Sequence, residues 1–512
     1  MLTWILALAC RSPETERVED SPSVDSDSAD PRWDRAYEGV LAQLEADLAQ
    51  STAGAASVAV WADGGVAFLA STGKAHPIDG GGVGPQTRFG IGSTSKVITS
   101  TLALRDVQAG RFTLESTLGE LKPDLELSVS PGQVQDISVH QLLTHQGAFY
   151  DWVPWDASSA DHELGGTAQT TFAQQVYLLN APGAFWNYSN PNFSLAGWLG
   201  EAQGEYWPER IASEILEPLG MSGCTARPSD LAGQDDVAVG WGLQLDGGLG
   251  LVPPEYADPA FVRPAGAVWC TPQDMLNFGV FLMEGDPAVL ADTSPLRTPH
   301  VDTRAYGDLV WYGYGLFLQP GVGSAQGWHE TPVWQHGGNT LGHSSIFYVL
   351  PEQGVVVSIL SSGYGTDFSG TLIAALDAAG ALPAAGSIPE LPLDVSAHSR
   401  HVGSYNDPNN LGPVQVTSDG ETLSISMPLL DEVGLSYSST LVQRSTDVFY
   451  VEIDGGTYAL DFVAPQGAEE SQWIRNRIFV ATRDAETRRL GEQSLSAPRL
   501  IQAPRLWMGL PE

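Results

Sequence analysis

Strand-like pattern at the two ends of one long segment is the feature that most limits how this chain folds. Ser57–Trp61 and Val66–Ala70 are short apolar runs split by Asp63-Gly64-Gly65, a hairpin signal. Before them Trp33, Tyr37, Val40, Leu41, Leu44 and Leu48 share one face at helical spacing. From Thr87 to Gly279 the pattern is mostly helical, broken by Pro and Gly, and strands return between Val310 and Gly363 as Gly315–Gln319, Ser345–Leu350 and Val355–Ser361. A helix, two strands, a long helical insertion and three more strands predict an α/β layer. Both ends of the segment join one mixed antiparallel sheet flanked by helices, with a pocket between the sheet and the helical region.

The character changes after Ala381–Asp394, a stretch of Ala, Pro and Gly that reads as a linker. Val414–Thr417, Leu423–Met427, Phe449–Ile453, Tyr458–Val463 and Ile478–Thr482 are strand-like and bounded by turn residues, so a separate all-β module follows, sandwich or barrel. The expected division is a leader at 1–10, an acidic disordered tether at 11–32, an α/β domain at 33–380 and the all-β domain at 395–512.

The leader reading rests on Met1–Ala9, nearly all apolar, running through Leu8-Ala9 into Cys10 as in a bacterial lipoprotein cleavage box. It predicts export to the periplasm or cell surface, with membrane attachment through a lipid on Cys10. Arg11–Pro31 carries too little apolar surface to fold. No later run reaches the ~18 apolar residues that span a bilayer. Cys224 and Cys270 remain, either as a disulfide or as two buried thiols.

Acidic residues outnumber basic ones by 37, which argues against nucleic acid and anionic membrane as partners and fits a solvated acidic surface. Of the 24 Lys and Arg residues only Lys74, Lys96 and Lys122 are lysines, so a lysine in a chemically suggestive place is informative. No phosphate-cradling glycine loop and no Cys/His zinc spacing is present, and no metal or organic cofactor is expected.

Ser93-Thr94-Ser95-Lys96 is such a place. Residues three apart on a helix lie on one face, where the amine accepts the serine proton and the helix N-terminus favours the alkoxide. Ser71-Thr72-Gly73-Lys74 has the same spacing but runs into the loop His76-Pro77-Ile78-Asp79-Gly80. Val97, Ile98, Leu102, Leu104 and Val107 instead carry a helix from Ser93 to Gly110. Tyr188-Ser189-Asn190 supplies a candidate acid-base in Tyr188 and a ligand for lysine or substrate in Asn190. His336-Gly337-Gly338-Asn339 supplies glycines that let substrate lie on a strand edge. A backbone N–H near Asn339 would join the Ser93 N–H on an oxyanion, and His336 would line the pocket as donor or cation. His145 and His343 read as structural rather than as members of a Ser-His-Asp triad.

Together these elements resemble the class C beta-lactamase-related serine hydrolases, a group of D-amino-acid peptidases, carboxylesterases and true beta-lactamases. Leu142-Leu143-Thr144-His145, Glu217-Pro218-Leu219-Gly220-Met221, Arg263-Pro264-Ala265-Gly266 and Thr271-Pro272-Gln273-Asp274 extend the resemblance across Trp33–Gly363. It implies a beta-lactamase/transpeptidase-like fold, Ser93 as nucleophile, Lys96 and Tyr188 as the proton-transfer pair, Asn190 as ligand and His336–Gly338 as the strand-edge motif. Beta-lactamases proper usually carry Lys-Thr-Gly there, so His336 favours the esterase and peptidase branch. The C-terminal module, notably Trp473–Arg483, resembles the lipocalin-like domains appended to this family, and capping or shaping the pocket is its expected role. The expected substrate is an ester, amide or D-peptide. A beta-lactamase or penicillin-binding protein, a non-catalytic sensor, and a cell-surface lipoprotein that binds through its β module are the alternatives.

Overall fold

In the computed structural model, which describes residues 31–128, 134–155, 164–201, 205–304, 309–477 and 479–484, the first helix runs over Pro31–Ala49 (α1). The leader, Cys10 and most of the tether lie outside the described residues. Val40 and Leu44 are buried on α1, and Trp33, Leu41 and Leu48 pack at its edges, whereas Tyr37 is 37% exposed.

The hairpin pairs β1 (Ala55–Ala62) with β2 (Gly65–Gly73), and Asp63 (φ 54°) and Gly64 (φ 78°) form its two-residue turn. Positive φ at both positions matches the twist of the flanking strands, which explains the Asp-Gly pair. Six further strands follow: β3 (Val301–Asp302), β4 (Trp311–Tyr312), β5 (Phe317–Ser324), β6 (Gly327–Asn339), β7 (Ser344–Leu350) and β8 (Val355–Ser361). Their spatial order is β2-β1-β8-β7-β6-β5-β4-β3, and every neighbouring pair is antiparallel. The register Ala56↔Ser361 through Trp61↔Val356 joins the two ends of the segment, as the strand pattern predicts.

Both faces of this sheet are covered. Val58, Val60, Val357 and Ile359 face α1 and α5 (Ser369–Ala378), with Leu372 and Leu376 against them. Ala59, Val356 and Leu360 face the opposite way, toward α2 (Ser95–Gln108) and α4 (Pro272–Glu284), against Val97 and Leu276. Alternate residues thus enter different cores, so β8 shows no polar–apolar alternation and only Ser358 interrupts its apolar run to Leu360. Each Val or Leu so buried contributes roughly 1.5–3 kcal/mol. Cys224 and Cys270 form a disulfide beside the paired backbones of Thr225 and Trp269.

The sequence pattern does not name β6 as a strand, although at 13 residues it is the longest in the sheet. Its Gly, His, Gln and Pro residues have weak strand propensity, and a register shift between Glu330 and Val333 accommodates Pro332. Pairing with β5 and β7 on its two sides holds it instead. The hairpin Gly240–Leu243/Leu249–Val252 inside the helical stretch is also unannounced, because its glycines obscure the alternation.

The C-terminal strands are β9 (Gly403–Asp407), β10 (Gly412–Ser418), β11 (Leu423–Ser426), β12 (Val442–Gln443), β13 (Val448–Ile453), β14 (Gly456–Val463), β15 (Trp473–Asn476) and β16 (Phe479–Arg483). Their order is β11-β10-β9-β16-β15-β14-β13-β12. Ile425 N–H donates to Ser439 O (2.8 Å) and Leu441 N–H to Leu423 O (2.9 Å), which brings the first and last strands together into a nearly closed, lipocalin-like barrel. Val414, Val416, Phe449, Leu460, Phe462 and Ile474 fill it. Three of its strands, β9, β12 and β15, are too short or polar to show in the sequence pattern, and Ile478, expected to open the last one, lies outside the described residues.

Arg475 on β15 locks this barrel to the first domain. It is 2% exposed; Nε donates to Asp461 Oδ2 (2.7 Å), Nη2 to Thr303 O (2.7 Å) and Nη1 to Trp186 O. Phe185 packs on Trp473 alongside (5.4 Å between ring centroids). Arg475→Met removes one partner of a buried ion pair and two carbonyl ligands. It should lower stability by about 3 kcal/mol, read from the urea midpoint, with a separate early transition for the C-terminal barrel.

Candidate active site

Gly92 sets the position of Ser93. Gly92–Thr94 form a single 3₁₀ turn that feeds α2, and Gly92 has φ +53°. A Cβ there would lie 2.5 Å from Asn339 N and 2.8 Å from Gly338 C, and one on Gly338 would lie 2.0 Å from Ile91 O. The turn and the end of β6 therefore touch backbone to backbone, an approach only glycine allows. Ser345 Oγ donates to Ile91 O (2.7 Å) and Ser95 Oγ to Gly92 O (2.7 Å), which fastens the turn from both sides.

Lys96 follows one turn later and is completely buried. Its Nζ meets Ser93 Oγ at 3.0 Å, Asn190 Oδ1 at 2.8 Å and Ala265 O at 2.6 Å. Burial pushes the amine well below its ordinary pKa; the Asp151 carboxylate opposes that shift and the Arg477 guanidinium adds to it. Asn190 Oδ1 and Ala265 O can only accept. A neutral amine donates its two N–H bonds to them, and its lone pair then faces the Ser93 hydroxyl, the geometry a general base requires.

Asn190 begins α3 (Asn190–Leu199). The residue before it, Ser189, makes no side-chain cap. Asp151 Oδ1 accepts instead from both Asn190 N (2.8 Å) and Asn190 Nδ2 (2.9 Å). Its other oxygen accepts from Arg477 Nε (3.0 Å) and Nη2 (2.9 Å), and Arg477 comes from the turn after β15 in the C-terminal barrel.

Tyr188 lies between these groups. Lys96 Nζ is 4.9 Å and Arg477 Cζ 4.5 Å from its ring centroid. The His145 ring packs on Tyr188 at 4.1 Å; its Nδ1 accepts from Ser189 N–H (3.1 Å), and burial together with Lys96 keeps it neutral. His145 is therefore a support for the Tyr188 loop. His343 is buried against Phe89 and Trp269.

His336 is also neutral, since burial and the nearby Lys96 press its pKa down to about 3. Nδ1–H donates to Gly337 O and Nε2 faces the Tyr312 hydroxyl at 3.4 Å. Of the two roles the sequence leaves open for His336, donor or cation, the cation is excluded near neutral pH. The Asn339 Oδ1 is likewise occupied, accepting from Ser344 Oγ (2.6 Å) and Gly365 N (3.2 Å).

Pairing of β5 with β6 stops at Phe317↔Gln335, whereas pairing of β7 with β6 continues to Ser344↔Asn339. His336–Asn339 thus have no β5 partner, and this edge borders a cavity of about 570 Å³ lined by Ser93, Tyr188, Asn190, His336, Gly338 and Arg477. An extended acyl group fits such an edge. Among the described residues no three His, Cys, Asp or Glu side chains converge as a metal site would require.

Residues 41–382 match the family described as Beta-lactamase. The chain belongs to the beta-lactamase family. Penicillin-binding protein 4 of Amycolatopsis lactamdurans is 25% identical over 327 residues, 60% of this chain and 80% of that protein. Among solved structures, SurE superposes with a TM-score of 0.65 at 22% identity, over 88% of this chain and 100% of that one. The D-amino acid amidase from Ochrobactrum anthropi SV3 superposes with a TM-score of 0.56 at 20% identity, over 67% and 98%. At such identities the likeness is one of fold, and it takes in a class C beta-lactamase and a penicillin-binding protein homologue as well.

Within this family fold, Ser93, Lys96, Tyr188, Asn190, His336 and Gly338 meet around one cavity. Ser71 is elsewhere: it lies within β2, paired with Ser57, and its hydroxyl bonds Ser57 Oγ (2.9 Å). Sequence reading missed Ala265 as a lysine ligand, although Arg263–Gly266 is marked as a family motif, and it missed Asp151 and Arg477. Asp151 stands in no motif. Arg477 is within the Trp473–Arg483 stretch, where a cation amid apolar strand residues was the available signal. Gly92→Ala tests the backbone contact that places Ser93. The forced Cβ should cost roughly 1–3 kcal/mol in urea unfolding and slow labelling of Ser93.

Proposed function

We propose that this protein is a serine hydrolase that works through an acyl-enzyme on Ser93, with an ester, amide or D-peptide as substrate. The observation that carries the reading is the Lys96 amine, whose two carbonyl ligands leave its lone pair for the Ser93 hydroxyl. Ser93 Oγ attacks the substrate carbonyl carbon as its proton passes to Lys96 Nζ. The oxyanion accepts from the Ser93 N–H and from a backbone N–H at the Gly338–Asn339 edge. Collapse expels the leaving group, which takes up a proton through Tyr188 and Lys96. Water then attacks the ester carbonyl with Lys96 or Tyr188 as base, and Ser93 is regenerated.

One observation favours the esterase and peptidase branch over antibiotic hydrolysis. A neutral His336 stands where beta-lactamases carry a cation for the drug carboxylate. Intact-mass analysis after a fluorophosphonate, with p-nitrophenyl acetate, D-amino-acid amides and nitrocefin assayed alongside, tests this. One adduct on the wild type and none on Ser93→Ala is expected, with kcat/KM lowered about a thousandfold or more in that variant. Because the base must be unprotonated, activity should rise with pH through a pKa well below the ordinary lysine value. A long-lived adduct without turnover would support a sensor instead, and labelling that survives Ser93→Ala would overturn the assignment.

A further inference from the structure

Asn190 has to present oxygen, not nitrogen, to Lys96. Its carboxamide is nearly symmetric in shape, so a partner must fix which end faces the lysine. Asp151 Oδ1 does this by accepting from Asn190 Nδ2, which leaves Oδ1 toward Lys96, and by accepting from the Asn190 backbone N–H it also caps α3 from 39 residues away. A carboxylate 4% exposed needs a counter-charge of its own, and Arg477 provides it on the second oxygen.

We infer that Asp151 and Arg477 are positioning residues of the Ser93 centre, Asp151 orienting Asn190 against Lys96 and Arg477 holding Asp151 from the C-terminal barrel. The inference rests on the acyl-transfer reading. It makes the barrel a working part of the active site, because the last link of the chain Lys96–Asn190–Asp151–Arg477 is supplied only when β15 is docked. The Arg475 lock directly precedes that link in β15.

The two residues also act on Lys96 in opposite electrical directions, Asp151 favouring the ammonium and Arg477 the neutral amine. The other groups that face Lys96 are Tyr188, His145 and His336. Both histidines are held neutral by burial, so among the described residues the charges that act on Lys96 near neutral pH are those of Asp151 and Arg477.

The full chain is labelled with a fluorophosphonate over a range of pH, and the second-order rate constant for the Ser93 adduct is compared among wild type, Asp151→Asn, Asp151→Ala, Arg477→Gln and Arg477→Lys. Asp151→Asn should move the acid limb to lower pH and Arg477→Gln to higher pH, each by about half to one unit. Asp151→Ala should lower the plateau rate about tenfold or more, with Asp151→Asn partly restoring it through its remaining acceptor oxygen, and Arg477→Lys should keep the limb near that of wild type. Should Arg477→Gln fail to fold, the Asp151 pair still decides the matter. Limbs that stay in place or move the same way, or equal plateau rates for Asp151→Ala and Asp151→Asn, would overturn the inference with the acyl-transfer reading intact. A wild type that gives no Ser93 adduct would overturn both.

Discussion

A lysine amine with no access to water, held by two carbonyl oxygens and a serine hydroxyl, is the constraint around which the first domain is arranged. Burying a charged ammonium without an anion in contact costs several kcal/mol, and the carboxylate that acts on it, Asp151, is one residue removed behind Asn190. Burial therefore favours the neutral amine, and a neutral amine is a base. Each packing decision nearby serves this geometry. Gly92 and Gly338 let the helix start and the strand edge touch, the Tyr188 loop closes one side over His145, and Arg263–Gly266 brings Ala265 O down onto the lysine.

The second domain is joined both by arginines and by a small apolar cluster in which Tyr177, Leu179 and Phe185 meet Val463, Val480 and Trp473. Arg475 reaches Trp186 O and Thr303 O from within the barrel wall, Arg304 crosses in the other direction to Asp461 (2.9 Å) and Asp447 (3.1 Å), and Arg477 extends to Asp151. Arginine suits this task because its planar fork meets several acceptors at fixed angles and stays charged when buried. Trp186 is two residues from Tyr188, so the Arg475 lock bonds the backbone of the Tyr188 loop itself.

What could be read from the sequence was what is local. The Ser93–Lys96 spacing is settled within one helical turn, the Asp63-Gly64 hairpin within two residues, and the apolar runs of β1, β7 and β8 by burial on both faces. Asn190 was legible because it shares a tripeptide with Tyr188. Partners brought in by the fold were not legible: Ala265 lies 169 residues from Lys96, and Arg477 lies 326 residues from Asp151. The strand β6 escaped for a related reason, since Gly327–Asn339 becomes a strand through its neighbours and not through its own propensity. His336 lines the cavity, and its charge state depends on burial that composition does not reveal.

The central claim is that Lys96 is a neutral amine near neutral pH, and the scarcity of lysine makes it directly measurable. With only Lys74, Lys96 and Lys122 in the chain, side-chain ¹³Cε/¹⁵Nζ NMR of lysine-labelled protein gives three resonances to follow with pH, assigned by replacing Lys74 and Lys122 with arginine in turn. The account predicts that the Lys96 resonance titrates well below the ordinary lysine range of about 10.4. A Lys96 that remains an ammonium until pH is close to that ordinary value would contradict it.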